Sequence, residues 1–355
     1  MPNKISAQDV LNALRSVQDP DLRRDIVSLG FVKDLEVGDS RVVFTIQLTT
    51  PACPVRDQMA AAARQAVEAL GVRDVQVRMT SQVVSASTGR NQLIPQVKNT
   101  VAVASGKGGV GKSTVAANLA IALHRAGAKV GLMDTDVYGP SVPTLMGGSS
   151  PPHVVEGKLE PPVEYGIKII SMAYFLPKDE AVIWRGPMLH KTIQQFLGEV
   201  RWGDLDYLIM DLPPGTGDIQ LSLAQTIPLT GAVIVSTPQD LALTVASKAI
   251  AMFKKLNVPI LGLIENMSYH VCSQCGHRED IFGHGGAREA ANRLACPFLG
   301  EIPLDVNVRI QSDNGKPVAL DDATLYGKAF QEIAGALAAQ ISIAGYRVDQ
   351  GISIE

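Results

Sequence analysis

Residues 106–114 read Gly-Lys-Gly-Gly-Val-Gly-Lys-Ser-Thr. Closely spaced glycines let a backbone curl with its N–H groups facing inward, and such a concavity binds phosphate oxygens. A helix opening directly from the loop adds its N-terminus to the same site. In this spacing Lys112 reaches the β- and γ-phosphates of a nucleotide, and the Ser113 hydroxyl ligates Mg²⁺. The expected cradle is Gly106, Lys107, Gly108, Gly109, Val110, Gly111, Lys112, Ser113 and Thr114. A second stretch with its own chemistry is Cys272-Ser273-Gln274-Cys275-Gly276-His277. Two thiolates at this spacing chelate one metal or one cluster edge and suit iron–sulfur or zinc. Alone they are half a site, and neither Cys53 nor Cys296 has a partner spacing that completes it. Two copies of the chain would supply four thiolates, the number that a 4Fe–4S cluster or a structural zinc takes. A redox disulfide and a plain turn are the competing readings, and His277 is either a further ligand or a local hydrogen-bonding group.

Two carboxylates stand where a nucleotide needs them. Asp211 ends an apolar run, the usual place of the acid that holds Mg²⁺ through water. Asp136 is the second acid of Asp-Thr-Asp. Either could instead cap a helix. Asn266 follows another apolar run, where asparagine also serves turns.

These residues need a scaffold, and the hydrophobic pattern supplies one. Residues 101–105 are a short apolar strand leading into the glycine loop, and Val115, Leu119 and Leu123 open a helical pattern that closes at Gly127. Apolar strands are also expected at 130–134, 207–212, 232–236 and 260–264. Strand and helix alternate from Asn99 onward, which predicts a parallel sheet with helices on both faces. In such sheets ligands bind beyond the carboxyl ends of the strands, where the acids and glycines just named fall. Residues 139–200, rich in proline and glycine, read as an excursion from the sheet, followed from Trp184 by an amphipathic helix to Val200. Residues 325–343 read as an alanine-rich helix packed on the sheet.

Ahead of this pattern, residues 1–85 run helix, strand, strand, helix, strand, which is a small α+β domain. Cys53 falls in the loop before its second helix, where a helix end could activate the thiolate, and a structural or idle cysteine is the other reading. Residues 86–98 are polar with Gly and Pro and read as a linker, leaving 99–355 as the nucleotide domain. The fold class expected is therefore α/β: a P-loop NTPase with a mostly parallel sheet, preceded by a small α+β domain.

Composition bounds the partners. The chain has 355 residues, 46% of them hydrophobic, a net charge of −3 and four cysteines. The absence of a basic excess argues against general nucleic-acid binding, and no apolar run is long enough to span a membrane. A polar N-terminus and few cysteines point to a cytoplasmic protein with functional thiols rather than a disulfide scaffold. Cys296, between Ala295 and Pro297, reads as a small apolar filler before a strand.

Phosphate binding alone does not ask for Lys107. A lysine directly after the first glycine resembles the loop of the MinD/ParA/nitrogenase-reductase class of ATPases, in which it reaches the nucleotide of the other subunit. That resemblance implies a homodimer, ATP as the nucleotide, and Lys107 acting in trans beside Lys112. It also implies that Asp136 orients the attacking water and that Asn266 reads adenine. More of the chain is similar to the Mrp/ApbC family of iron–sulfur cluster carrier ATPases. The similarity lies in residues 106–114, 134–141, 184–188, 211–218, 265–268 and 282–287 and in Cys272 and Cys275. The small domain resembles iron–sulfur targeting factors, through Asp19-Pro20-Asp21, 26–30 and 49–54. The family implies an ATP-hydrolysing homodimer with a 4Fe–4S cluster between two cysteine pairs, loaded by iron–sulfur assembly machinery and delivered to apoproteins. A positioning ATPase of the MinD/ParA type and a nitrogenase-reductase-like electron donor are the alternatives. The cysteine pair argues against the first, and the close spacing of its members against the second.

Overall fold

The structure, a computed structural model, describes residues 5–86, 93–148, 150–175 and 186–349. Two compact units emerge, one from the chain up to Val84 together with the stretch from Ala338 onward, the other from Ser85 to Leu337.

In the first unit, α1 (Ala7–Leu14) starts at Ser6 because Ser6 and Asp9 cap each other, side chain to backbone in both directions. Its apolar positions Val10 and Leu14 are fully buried. Asp19 explains the break that follows: its carboxylate accepts the N–H groups of Asp21 (3.0 Å) and Leu22 (2.8 Å). β1 (Val32–Val37) pairs antiparallel with β2 (Arg41–Leu48). α2 (Arg56–Glu68) carries the chain over to β3 (Asp74–Ser81), which pairs parallel with β2 from Arg41 opposite Asp74 to Leu48 opposite Ser81. Val42, Phe44 and Ile46 of β2 meet Met59, Ala63 and Val67 of α2 in one core.

The second unit is built on β4 (Val97–Ser105), α3 (Lys112–Arg125), β5 (Val130–Asp134), β6 (Ile167–Ser171), α4 (Gly186–Gly198) and β7 (Leu205–Asp211). It continues through α5 (Asp218–Thr226), β8 (Gly231–Ser236), α6 (Asp240–Lys255), β9 (Ile260–Asn266), α7 (Gly286–Arg293), β10 (Phe298–Ile302) and the first part of α8 (Leu325–Asp349), up to Leu337. The sheet order is Val163–Glu164, β6, β5, β7, β4, β8, β9, β10. The first pair is antiparallel and all the others are parallel. β5 and β8 are buried along their whole length, as near-continuous apolar runs covered on both faces should be. The expected α/β class holds.

One expectation fails within 139–200. Residues 167–171 do not leave the sheet; they form β6, in register with β5 from Lys168 opposite Gly131 to Ser171 opposite Asp134. Buried Ile167, Ile169 and Ile170 drive this, and the surrounding turns hide so short a run from periodicity. Val163–Glu164 also joins the sheet, as its antiparallel edge strand, whereas His153–Val155 and Lys158–Glu160 do leave it, as a separate hairpin. Of the stretch at 184–188, Trp184 and Arg185 lie outside the described residues, and Gly186 begins α4. α8 is packed on the sheet through Ile333, whose side chain lies 2.7 Å from where a Cβ on Gly300 of β10 would stand.

Candidate functional site

β4 delivers the glycine loop to the middle of the sheet, and the loop's path explains its glycines. A Cβ on Gly106 would stand 2.5 Å from the backbone of Val245 in α6. Gly111, at φ 79°, is left-handed immediately before α3 begins at Lys112. Any side chain there would collide with Asn266, whose amide donates to the Val110 carbonyl at 2.8 Å. Asn266 is thus placed beneath the loop by β9. Lys107 is half-buried, with its carbonyl held by Ser105 Oγ at 2.9 Å.

Lys112 turns onto β7. Its ammonium, 6% exposed, pairs with the fully buried Asp211 and lies 3.3 Å from Ser113 Oγ. Ser113 also donates to Asp211. Burial pushes the Asp211 carboxyl up, and Lys112 opposes that. The second oxygen, Oδ2, is buried without a hydrogen-bond partner. An orphaned carboxylate oxygen beside a serine hydroxyl is a hard-oxygen donor set that fits Mg²⁺.

Asp134, directly across from Asp211 on β5, organises the neighbouring loop. Its oxygens accept the N–H groups of Asp136 (3.0 Å), Ser141 (3.1 Å) and Val142 (3.2 Å) and the hydroxyl of Ser171 (2.9 Å). Asp136, 8% exposed, is presented at the start of that loop and accepts from Tyr138 and Gly139, both at 3.2 Å. Spacing had drawn attention to the second acid of Asp-Thr-Asp; the first is the structural hub. Its position as the last residue of an apolar strand was the only signal for it.

Burial, then repulsion from Asp211, pushes Asp134 up to about 7. The unfolded value is about 3.9. The folded chain therefore keeps this proton between about pH 4 and pH 7 while the unfolded chain loses it. The resulting stabilisation is complete below pH 4 and is lost as pH rises through 7. Asp134→Asn removes the titration, so its stability deficit against the wild type should shrink by on the order of 1–3 kcal/mol from pH 5 to pH 7. Urea midpoints at the two pH values test this, and a constant gap contradicts it.

The cysteine pair sits at the tip of a short hairpin, His270–Val271 paired with Arg278–Glu279, six residues along the chain from Asn266. Cys272 N–H donates to the His277 carbonyl and Gly276 N–H to the Cys272 carbonyl, both at 2.9 Å. The Cys272 thiol is lowered, first by the N–H of Gln274, then by the N–H and the thiol of Cys275. Such N–H donors stabilise a thiolate ready to ligate. Both cysteines are free. Among the described residues the one grouping of three potential metal ligands is Glu265, His284 and Glu301, so nothing completes a set with the cysteine pair. The hairpin uses the carbonyl of His277 rather than its ring. Arg278 anchors the hairpin base: its guanidinium lies 3.8 Å over the Tyr269 ring and donates to His284 at 2.9 Å. Glu265 ties 265–268 to 282–287 by accepting from Ser268 Oγ and Ala287 N–H, both at 2.6 Å.

Neither remaining cysteine is activated. Half-buried Cys53 packs against the small core. Burial first, with Asp21 and Asp19 adding, pushes its thiol up against the weaker help of Val55 N–H at the helix end. The expected activation by that helix end is thus reversed. Cys296 packs beside the large core and burial raises its thiol as well.

A parallel sheet, a glycine loop opening α3, and carboxylates at the ends of β5 and β7 define a P-loop NTPase of the ParA/MinD kind. Residues 96–338 match the family model described as NUBPL iron-transfer P-loop NTPase, and the chain belongs to that family. Residues 7–79 match a second model, iron-sulfur cluster assembly protein. An iron-sulfur cluster carrier protein of Deinococcus radiodurans is 50% identical over 94% of this chain and 95% of its own length. Another, from Synechocystis, is 44% identical over 96% and 99%. A nucleotide-binding protein of Archaeoglobus fulgidus, solved in complex with ADP and with cobalt found in it, is 42% identical. It covers 63% of this chain and 89% of its own, with a TM-score of 0.58. The cell-division ATPase MinD of Pyrococcus furiosus, 22% identical with a TM-score of 0.51 over 67% of this chain and 98% of its own, shares the fold. Among the described residues no helix is long and apolar enough to cross a membrane.

Proposed function

We propose that this chain is an ATP-hydrolysing iron–sulfur cluster carrier that works as a homodimer in the cytoplasm. The observation that carries the reading is the Cys272/Cys275 hairpin: two thiols, one of them stabilised as thiolate, with no third ligand among the described residues, in the same unit as a complete phosphate loop. Two such hairpins supply the four thiolates of a 4Fe–4S cluster, which is the cargo. A site shared between two chains is exposed and releasable, which suits transfer to apoproteins better than electron transfer. The relatives' name as cluster carriers supports the same reading.

In this reading Gly106 to Thr114 cradle the phosphates of ATP. Lys112 leaves Asp211 for the β- and γ-phosphates, and Ser113 with Asp211 holds Mg²⁺, which neutralises charge on those phosphates. Lys107 acts on the partner's nucleotide, Asp136 orients the attacking water, and Asn266 reads the base. Nucleotide-driven rearrangement of the dimer then gates release of the cluster, loaded by iron–sulfur assembly machinery. A MinD/ParA-type positioning role has no use for the paired thiolates, and neither nucleic acid nor membrane is a partner.

The test is anaerobic reconstitution with iron and sulfide followed by mixing with an apo-ferredoxin, with and without ATP. The expected result is a brown dimer whose cluster appears in the acceptor at a rate that ATP changes. A protein that stays colourless, or that keeps its cluster in the presence of acceptor, overturns the carrier reading.

A further inference from the structure

Gln220 breaks the pattern of its helix. In α5 it shares the buried stripe with Leu223 and Ala224, at i, i+3 and i+4, where an apolar side chain is the expected occupant. It is only 2% exposed, and neither its amide nitrogen nor its carbonyl oxygen has a hydrogen-bond partner. A buried amide with both ends unmet is costly and rare, and it persists where a ligand or water supplies the missing partner.

The surroundings indicate which partner. Gln220 lines a pocket of about 620 Å³ whose other walls include Asp136 and Tyr138 on the loop after β5 and Pro213 and Pro214 on the loop after β7. That pocket opens beyond the carboxyl ends of β5 and β7. Asp211, the residue Lys112 pairs with, ends β7 and begins the segment that Gln220 closes. Asp211 Oδ2, a carboxylate oxygen that is also buried without a hydrogen-bond partner, belongs to the same segment. Two unmet polar groups thus bracket the segment from Asp211 to Gln220, and Gln220 shares its pocket with Asp136 on the loop after β5.

An attacking water needs two acceptors: it donates both hydrogens and leaves a lone pair for phosphorus. We propose that Gln220 is a further catalytic residue, its amide carbonyl holding, together with the Asp136 carboxylate, the water that attacks the γ-phosphate of ATP. This rests on the ATPase reading above. The water oxygen forms the new P–O bond, and the bond from phosphorus to the β–γ bridging oxygen breaks with its electron pair leaving on ADP. One water hydrogen stays on that oxygen as a P–OH, and the other passes to a non-bridging oxygen of the γ-phosphate, so the product leaves as dihydrogen phosphate. Gln220 accepts a hydrogen bond throughout and exchanges no proton.

Gln220→Leu, with Gln220→Met as the near-isosteric second variant, tests this in the full-length dimer. Both suit an apolar stripe, so neither should unfold the helix. The expected result is a fall in kcat of about 10- to 100-fold with ATP affinity within about twofold of wild type. Binding of ADP with aluminium fluoride and Mg²⁺, which mimics the phosphoryl group with its in-line water, should weaken by at least about tenfold while ADP alone binds as before. A variant with wild-type kcat, or one that loses ATP affinity in parallel with kcat, overturns the role. A wild type that binds ATP and never turns it over removes the ATPase reading itself, and this role with it.

Discussion

Lys112→Ala is expected to lose ATP binding and turnover by at least about 100-fold, equivalent to about 2.7 kcal/mol. The lysine is the one fixed cation that the loop offers to the β- and γ-phosphates, and the backbone N–H groups left behind are neutral. The structure adds a second effect that loop chemistry alone does not suggest. Lys112 is the buried counterion of Asp211, at 6% and 0% exposure. Removing one partner of a buried pair leaves the other uncompensated, at a cost of roughly 3–5 kcal/mol. Asp211, already raised by burial, would then rise further and take up a proton. The variant should therefore melt several degrees below wild type as well as fail to bind ATP. The double variant Lys112→Met, Asp211→Asn separates the two effects. It removes both charges, so stability should return while ATP binding stays lost. Isothermal titration with ATP and a thermal melt on the three proteins suffice. Turnover at the wild-type rate in Lys112→Ala would remove the phosphate-loop assignment.

The largest effect outside the nucleotide site is expected at the cysteine hairpin. After anaerobic reconstitution the wild type should carry about four irons per dimer, and Cys272→Ala should fall to background. The argument is a count combined with an electrostatic observation. Each chain brings two thiols at chelating spacing, and no third ligand joins them among the described residues. The Cys272 thiol is lowered by the N–H groups of Gln274 and Cys275, so it is ready to lose its proton to a metal. ATP turnover should survive in the variant, because neither cysteine touches the phosphate loop. One zinc per dimer without colour would show that the four thiolates hold a structural metal instead. Iron retained in the Cys272→Ala, Cys275→Ala double variant would exclude the hairpin altogether. Cys53 and Cys296 would then be the remaining thiols, although burial raises both.

Residues close in sequence carried most of what could be read without coordinates. The glycine loop, its preceding strand and its following helix are contiguous, so spacing alone specifies a phosphate cradle with Lys112 and Ser113 in their roles. The cysteine pair is legible for the same reason, since two residues between thiols define a chelating turn. The parallel sheet follows from apolar strands alternating with helical periods. Short β6 was lost because five residues between turns leave no period to detect.

What the tertiary structure decided was burial and pairing between distant residues. Lys112 and Asp211 are 99 positions apart, and only the parallel register of β4 and β7 brings the loop and that carboxylate together. The register of β7 with β5 sets Asp134 opposite Asp211, and it is their joint burial that raises Asp134 to about 7. Cys53 carries the same lesson in reverse: proximity to a helix start suggested a reactive thiol, and burial among apolar neighbours outweighed it. Gln220 is an unremarkable polar residue in a helical pattern until the fold buries it without a partner. Sequence spacing determines which groups can meet along one turn or one loop. Dielectric environment and hydrogen-bond satisfaction depend on what the rest of the chain packs around them, and those are properties of the fold alone.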